Sequence, residues 1–422
     1  MLSTLPGTDM NVLIRKVNAL GNSVGGISRE SGAKAVFIRG ALPGETVSCK
    51  PVREAGNFIE AELIEVLEPS PHRVKPFCVY FGTCGGCSLQ HLEYPMQLYW
   101  KKRWVTKALD RMNIEPDYGV TDRTLQSPLT RGYRNRVSFD MTSMGPGLHA
   151  YKGDPFPVDD CPLLNESGRK VYAHLAGKPL PGCRRISVRA SPETGTSIVE
   201  FSPIPAGGIP HLGGETAAAW KSADGWEGSG GRVSFKEKLP GITFTVFAGT
   251  FFQVNTPGAA ILAARVMKLL PPGGDILDLY GGCGTFALHA ARLGGRVVSV
   301  EFNTDSSEGG RISARENGIT GVEFVTGRVR KFLVETTRSR HPWDAVIVDP
   351  PRSGLGIRNA RSLRRVNSPL IVYVSCNPFT LARDLSIITG GGWEVATVTT
   401  VDMFPQTDHV ETVTEIRRRK PE

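Results

Sequence analysis

Cys376 stands in Ser375-Cys376-Asn377-Pro378, at the end of the apolar run LIVYVSC (370–376). A thiolate is a strong nucleophile, and carbon 6 of a pyrimidine is an electrophile it can add to. That addition gives carbon 5 enolate character, able to attack a sulfonium methyl group. A base must then take the carbon 5 proton before the sulfur can leave. The segment Phe404-Pro-Gln-Thr-Asp-His-Val-Glu411 holds two candidate bases, His409 and Glu411, of which Glu411 is favoured. A strand-end cysteine taken alone reads as a small buried hydrophobe; the neighbouring motifs favour the chemical reading. The run DAVIVD (344–349) leads into Asp349-Pro-Pro-Arg-Ser-Gly354. Two prolines force a rigid extended exit and fix Asp349 at the rim of a sheet. An amino-group methyltransferase would place an aromatic after such prolines; Arg352 stands there instead and argues against that class.

A second group of residues points to a nucleotide-like ligand. The run DILDLY opens Asp278-Leu-Tyr-Gly-Gly-Cys-Gly-Thr-Phe286, whose Gly282 and Gly284 suit a tight turn into a helix. The next strand-like run, RVVSVE, ends in Glu301, an acid able to accept both ribose hydroxyls. A dinucleotide would call for G-x-G-x-x-G, but here the third glycine is Ala287. An Asp before the glycines and no third glycine favour S-adenosylmethionine over NAD.

Cys78, Cys84 and Cys87 cluster in FCVYFGTCGGCSLQH. Gly85 and Gly86 would let that backbone wrap a metal centre. Cys161, in DDCPLLNE, is the best fourth ligand. Four thiolates suit zinc or an iron–sulfur cluster, and one short CxxC arm with one wide gap favours the cluster. Cys49, Cys183 and Cys283 read as ordinary small hydrophobes.

These residues need a frame to hold them. The chain has 422 residues, enough for two to four domains. With 40% hydrophobic and 22% charged residues it is globular rather than disordered or fibrous. No apolar run reaches membrane-spanning length, and the N-terminus lacks a signal-peptide layout, so a cytoplasmic protein is expected. The formal charge of +9 favours a polyanionic partner, nucleic acid before membrane. Residues 9–67 read as several short strands punctuated by glycine turns, consistent with a five-stranded barrel of the oligonucleotide-binding (OB) type. Residues 90–112 read as a helix carrying Lys101, Lys102, Arg103, Lys107 and Arg111. In TRGYRNRVSFD, Arg131, Arg134 and Arg136 interleave with Tyr133 and Phe139, the mix of phosphate contacts and stacking rings that single-stranded nucleic acid uses. Residues 203–231, rich in Gly, Pro, Ala and Ser, read as loops. Beyond about 245, strand runs alternate with helices (275–280, 296–301, 322–326, 344–349 and 370–376). This predicts a parallel doubly wound sheet with ligands at the carboxyl ends of its strands.

The motifs FFQVN (251–255), DLYGGCGTF (278–286), VE (300–301), DPPRSG (349–354), SCNP (375–378) and FPQTDHVE (404–411) resemble, in order and spacing, the RNA (uracil-5-)-methyltransferase family. The N-terminal β unit resembles its TRAM domain, and the four cysteines match the ligands of its 4Fe–4S cluster. Those two features make the chain most similar to the branch acting on 23S rRNA. The resemblance implies a multidomain α/β protein. A TRAM barrel (9–67) would precede a central domain with the cluster on Cys78, Cys84, Cys87 and Cys161 (68–245). A Rossmann-like class I methyltransferase domain (246–422) would follow. It implies Cys376 as nucleophile, Glu411 as proton acceptor, and Gln253, Tyr280, Glu301 and Asp349 around S-adenosylmethionine. Asp349 would lie between the cofactor and the uracil. The target uridine would be flipped out of its stack, with the barrel and the Arg131–Arg136 region holding flanking RNA. A monomer acting on rRNA is expected; the same chemistry on tRNA, or a decayed RNA-binding factor, are the alternatives. One position departs: where the family tends to place Asp or Asn toward adenine, this chain reads Gly327-Arg328, and the helix after Glu301 is rich in Gly and Ser. Weaker cofactor binding or a substitute contact is expected there.

Overall fold

The computed structural model describes residues 12–121, 123–223, 225–229 and 231–419; residues 9–11 of the expected N-terminal unit lie outside them. The chain divides into two compact units, Met1–Trp100 with Gln406–Asp408, and Lys101–Pro405 with His409–Glu422. Among the described residues no helix is long and apolar enough to cross a membrane.

In the first unit, six strands form one sheet, one more than the sequence suggested. Their order is Leu13–Lys16, Thr46–Ala55, Phe58–Glu68, Ala35–Arg39, Gly25–Ser28, Ala19–Gly21. The outermost strands are consecutive in the chain. Val17, Val36, Ile38, Ala41, Val47, Cys49 and Ala61 make its core. The exit of this sheet is fixed by Glu45, which is fully buried and accepts from the Leu42 and Ser70 amides and from Arg73 Nε at 2.5 Å. A buried carboxylate is tolerated because every lone-pair direction finds a donor.

The second unit contains two seven-stranded sheets and a hairpin. The first sheet runs Trp226–Gly228, Ala217–Lys221, Ser197–Ser202, Arg185–Ala190, Arg136–Thr142, Gly145–His149, Pro155–Pro157. Two of its strands fall within residues 203–231, which had read as loops. Ala217–Lys221 becomes a strand by parallel pairing with Ser197–Ser202, an override of weak local propensity by a tertiary neighbour. The RNA-contact reading of residues 131–139 is also corrected in part. Tyr133 is buried and donates to Pro405 O at 3.0 Å, and Phe139 is buried and stacked on Tyr172. Arg136 is held by buried Glu200 at 2.7 Å. Lys101 is equally internal, fully buried with Nζ at 2.6 Å from Asp402 and 2.9 Å from Phe404 O.

The second sheet has the order Val322–Thr326, Arg296–Glu301, Asp275–Leu279, Ala345–Val348, Leu370–Ser375, Glu411–Arg418, Trp393–Val401. The first five strands are parallel and the last two antiparallel to their neighbours. Both faces are covered. Ile276, Val297, Ile347 and Val372 pack on one side. Leu277, Val298, Val346, Ile371 and Tyr373 pack on the other. Burial on both faces is why these strands read as unbroken β-branched runs rather than alternating ones. Strand order reverses between Asp275–Leu279 and Ala345–Val348, the crevice where such sheets take ligands.

The helix Thr304–Glu316 explains its own composition. A Cβ on Gly309 would lie 2.5 Å from Thr245 O, and one on Gly310 would lie 2.3 Å from the Phe324 ring. The glycines let the hairpin strand Ile242–Phe247 and Phe324 approach the helix. Asn317 extends the contact by bonding both backbone groups of Thr243, at 2.9 and 2.7 Å. Gly309→Ala is therefore expected to lose about 1–3 kcal/mol despite the better helix propensity of alanine, because the opposing atom is backbone and cannot turn away. A thermal melt checks this; an unchanged or raised Tm would show the helix can slide.

Candidate active site

The cofactor side is built on the turn after Asp275–Leu279. Tyr280 and Gly281 both donate their amides to Val300 O, at 3.0 and 3.2 Å, so the chain leaves the sheet at once. Tyr280, Gly282 and Gly284 have positive φ (63°, 58° and 86°). The Gly281 that precedes this turn has no room for a side chain: its Cβ would meet Ser299 Oγ at 2.0 Å and Asp278 Oδ2 at 2.7 Å. A Cβ on Gly282 would meet nothing within 4 Å. The loop thus offers bare backbone to open space at the head of the helix Thr285–Ala291. Glu301 faces it: Oε2 accepts from the Gly282 amide at 3.2 Å and Oε1 from the Asn303 amide at 2.7 Å. Each oxygen keeps a lone pair for a ribose hydroxyl. Asp278 is fully buried. Its Oδ2 accepts from Ser299 Oγ at 3.2 Å, and its Oδ1 is a buried acceptor with no partner among the described residues. Burial, with Glu301 adding, pushes its carboxyl up to about 7. Tyr280 is held by Asn359, whose Nδ2 donates to its hydroxyl at 3.0 Å.

The reactive side is built where antiparallel strand meets parallel strand. Ser375 pairs with Thr412, and Thr412 Oγ1 donates to Ser375 O at 3.0 Å. Cys376 therefore leaves the sheet beside Glu411, the first residue of the neighbouring strand. Asn377 caps the following helix, accepting from the Phe379 amide at 3.0 Å, and reaches back to Arg352 O at 3.2 Å. That contact ties the Cys376 loop to the loop of Asp349. Asp384, fully buried, accepts from the Leu355 amide at 2.7 Å and the Tyr373 hydroxyl at 2.9 Å, anchoring the Asp349-Pro-Pro-Arg-Ser-Gly354 segment from behind.

Three acids share this corner. Burial first, then the charges of Glu411 and Asp349, push the Cys376 thiol up to about 12, while Arg352 pulls it down. Burial and Asp349 hold Glu411 well above the ordinary carboxylate range, with Arg352 again opposing. Burial and Asp278 raise Asp349. Arg352 is the counter-charge in this set, and His409 Nε2 accepts from it at 3.1 Å. His409 is thereby engaged with Arg352, and Glu411 is the carboxylic acid beside the thiol. Removing the cation disfavours the ionised forms of Cys376 and Glu411. Arg352→Gln is expected to slow Cys376 alkylation by iodoacetamide about threefold at pH 8, a modest figure because Arg352 is solvent-exposed and its charge is screened. Peptide mass spectrometry reads it, and faster alkylation would reverse the assigned role.

Sequence reading thus located Cys376, Glu411 and Asp349, which the fold gathers, and Glu301 with Tyr280, which it gathers around the glycine turn. Gln253 is buried, and its main-chain carbonyl accepts from Asn135 Nδ2 at 3.0 Å. Ser299, Asn377, Asn359 and Asp384 were not singled out, because their roles depend on pairing register. Asp278 had the signal of an acid inside an apolar strand.

The clustered cysteines occupy one loop of the first unit. Cys84 N–H donates to Tyr80 O at 2.8 Å, and Gly86 N–H donates to Cys84 Sγ at 3.3 Å. Cys161 opens a separate turn in the second unit, its carbonyl accepting from Leu164 at 2.9 Å. Among the described residues no group of three or more His, Cys, Asp or Glu side chains is gathered as a metal site. The donor chemistry itself, thiols within one short loop with an amide aimed at sulfur, fits a thiolate-bound cluster.

A family model described as tRNA (Uracil-5-)-methyltransferase matches residues 241–419. An RNA methyltransferase of Caldanaerobacter subterraneus is 30% identical over 95% of this chain and 97% of its own. The 23S rRNA (uracil(1939)-C(5))-methyltransferase RlmD of Hahella chejuensis is 31% identical over 94% of this chain and 95% of its own. Among solved structures, the Pyrococcus abyssi tRNA (uracil-54, C5)-methyltransferase in complex with S-adenosyl-L-homocysteine superposes with a TM-score of 0.75 at 26% identity, covering 97% of this chain and all of the other. Near end-to-end likeness to such enzymes, on a sheet whose crevice carries these residues, means that the chain belongs to the RNA (uracil-5-)-methyltransferase family and is an S-adenosylmethionine-dependent enzyme.

Proposed function

We propose that this enzyme methylates carbon 5 of a specific uridine in 23S rRNA through a covalent Cys376–pyrimidine adduct. The observation that carries the mechanism is the pairing of Ser375 with Thr412, which sets Glu411 beside the thiol. S-adenosylmethionine, when bound, supplies a methyl group on a sulfonium. Gln253, Tyr280, Glu301 and Asp349 hold it and orient the uracil, with the Glu301 carboxylate taking the ribose hydroxyls.

Cys376 reacts as its thiolate, the thiol proton passing to solvent. The sulfur bonds to carbon 6 of the uracil, and the electron pair of the 5,6 double bond moves to carbon 5, which would take the methyl group as its bond to the sulfonium sulfur breaks and leaves a neutral thioether. Carbon 5 then carries both a methyl group and a proton. Glu411 removes that proton, the 5,6 double bond re-forms, and the carbon–sulfur bond breaks. Glu411's charge is one reason the free thiol keeps its proton. Once sulfur is bonded to carbon it is neutral, and that opposition to an ionised Glu411 ends.

Under the same reading the N-terminal strands (9–67) act as a TRAM-like, OB-like RNA-binding barrel. Cys78, Cys84, Cys87 and Cys161 ligate a 4Fe–4S cluster in a central domain (68–245). The cluster would tie loops together, since methyl transfer moves no electron. A cytoplasmic monomer fits this picture.

The rRNA target is supported by the near full-length likeness to the Hahella enzyme. A tRNA target is the second reading, favoured by the Pyrococcus structure. The decayed-enzyme alternative loses one of its motives, because the Gly/Ser-rich helix is explained by packing. Labelled S-adenosylmethionine with unmodified 23S rRNA and tRNA in separate reactions, followed by nucleoside analysis, tests the proposal. 5-Methyluridine in the rRNA pool alone is expected. Transfer to tRNA alone would replace the target, and transfer to neither would overturn the function.

A further inference from the structure

Gln253 lies between the strand Ile242–Phe247 and the helix Thr256–Met267, in a stretch with no secondary structure of its own. Groups from elsewhere in the second unit tie down its backbone. Glu200 Oε1 accepts from the Gly249 amide at 2.9 Å, and the buried Arg189 donates through Nη2 to Thr250 O at 2.8 Å. Farther along, the main-chain amide of Asn135 donates to Val254 O at 2.8 Å, and its Nδ2 donates to Gln253 O at 3.0 Å. Among the described residues the Gln253 side-chain amide itself has no hydrogen-bond partner. Asn135 is held in its turn. Its Nδ2 also donates to Glu237 Oε2 at 2.8 Å and to Thr256 Oγ1 at 3.1 Å. Glu237 is 1% exposed, and its other oxygen accepts from Ser191 Oγ at 2.7 Å and from the Lys238 amide at 3.0 Å. A carboxylate offers acceptors only, so it admits only the NH2 end of the Asn135 side chain. Turning that side chain over would set Oδ1 against Oε2. Glu237 therefore decides which end of Asn135 meets Gln253 O.

We propose that Asn135, oriented by Glu237, is a positioning residue that fixes the main chain at Gln253 and so presents the free Gln253 amide to the cofactor. Asn135 and Glu237 act only through Gln253. A stretch without these ties would have to be ordered when the cofactor binds, at a cost in affinity. This inference deepens the proposed cofactor site and rests on Gln253 contacting S-adenosylmethionine. The pair can be exchanged to test it. In Asn135→Asp/Glu237→Gln, the amide at 237 donates to the acid at 135, and Ser191, Lys238 and Thr256 keep partners. Only the bond to Gln253 O is lost, because two acceptors then face each other.

Thermal melts and isothermal titration calorimetry with S-adenosylhomocysteine, on the full-length protein at pH 8, give the two readouts. Asn135→Asp alone is expected to lower Tm by about 5 °C, because it buries two acids side by side, and the exchange is expected to recover it. Affinity in the exchanged protein should stay about tenfold below wild type, as in Gln253→Ala. Adding Gln253→Ala to the exchange should weaken binding no further, since both changes remove one contact. Recovery of affinity together with Tm would make the Asn135–Glu237 pair structural only and overturn the proposal, as would additive weakening in the triple variant. If Tm does not recover, Asn135→Ala takes the place of the exchange in the same cycle with Gln253→Ala, where non-additive losses are expected and additive ones overturn the proposal. Unchanged affinity in Gln253→Ala would overturn the cofactor role of Gln253 itself, whatever the exchange shows.

Discussion

Cys376→Ala is expected to abolish methyl transfer, lowering kcat by at least about 10⁴-fold, while S-adenosylmethionine affinity stays within about twofold. The size follows from the role. Without a sulfur at carbon 6, the 5,6 double bond stays conjugated with the ring carbonyls and carbon 5 is a poor nucleophile. No neighbouring group replaces it: the carboxylates of Glu411 and Asp349 are weaker nucleophiles and poorer addends. The fold should survive, because Cys376 is only partly buried at the end of Leu370–Ser375, and the loop is held by Asn377 and Thr412. Single-turnover transfer to RNA together with a cofactor titration measures both halves. Turnover within a hundredfold of wild type would show that the thiol is not the nucleophile.

Glu411→Gln is expected to stop the reaction one step later, cutting product release by about 10²–10⁴-fold and leaving RNA covalently attached to the protein. Addition and methylation need only Cys376 and the bound cofactor, whereas elimination needs a base. Glutamine keeps the volume of a residue that is 5% exposed at the head of its strand, so packing is retained while basicity is removed. The raised carboxyl of Glu411, caused by burial and Asp349, makes it a stronger base than an ordinary carboxylate, and a stronger base takes a carbon-bound proton more readily. A denaturing gel should show a shifted protein band that retains labelled methyl groups, and the Cys376→Ala/Glu411→Gln double variant should show none. Release of methylated RNA at the normal rate would move the base elsewhere, His409 being the first alternative.

Much of this site could be read from the chain because a buried parallel sheet writes itself plainly. Its strands are runs such as RVVSVE and LIVYVSC, and doubly wound topology sends ligands to their carboxyl ends. Asp349, Cys376 and Glu301 could be placed on that basis alone. Other readings failed for physical reasons. The alternation of arginines with Tyr133 and Phe139 looked like an RNA surface, yet period-two alternation also describes a strand with one face in the core, and Arg136 found Glu200 there. Lys101 looked like one of five basic residues on a helix face, but Asp402, three hundred positions away, buried it. Residues 217–221 looked like loop because alanine carries little strand preference, and a parallel neighbour decided otherwise.

Sequence by itself determined the groups on offer: a thiol, three carboxylic acids and a glycine turn, each given by residue type and by its place at a strand end. Only the tertiary structure decided which groups act on one another. The pairing of Ser375 with Thr412 puts Glu411 beside Cys376. The Asn377 bond to Arg352 O joins two loops. The close approach of Thr245 and Phe324 turns Gly309 and Gly310 from an apparent weakness into a requirement. Residue type sets what a group can do, but charge–charge effects and steric exclusion fall off over a few ångströms, and distances between remote residues exist only once the chain has folded.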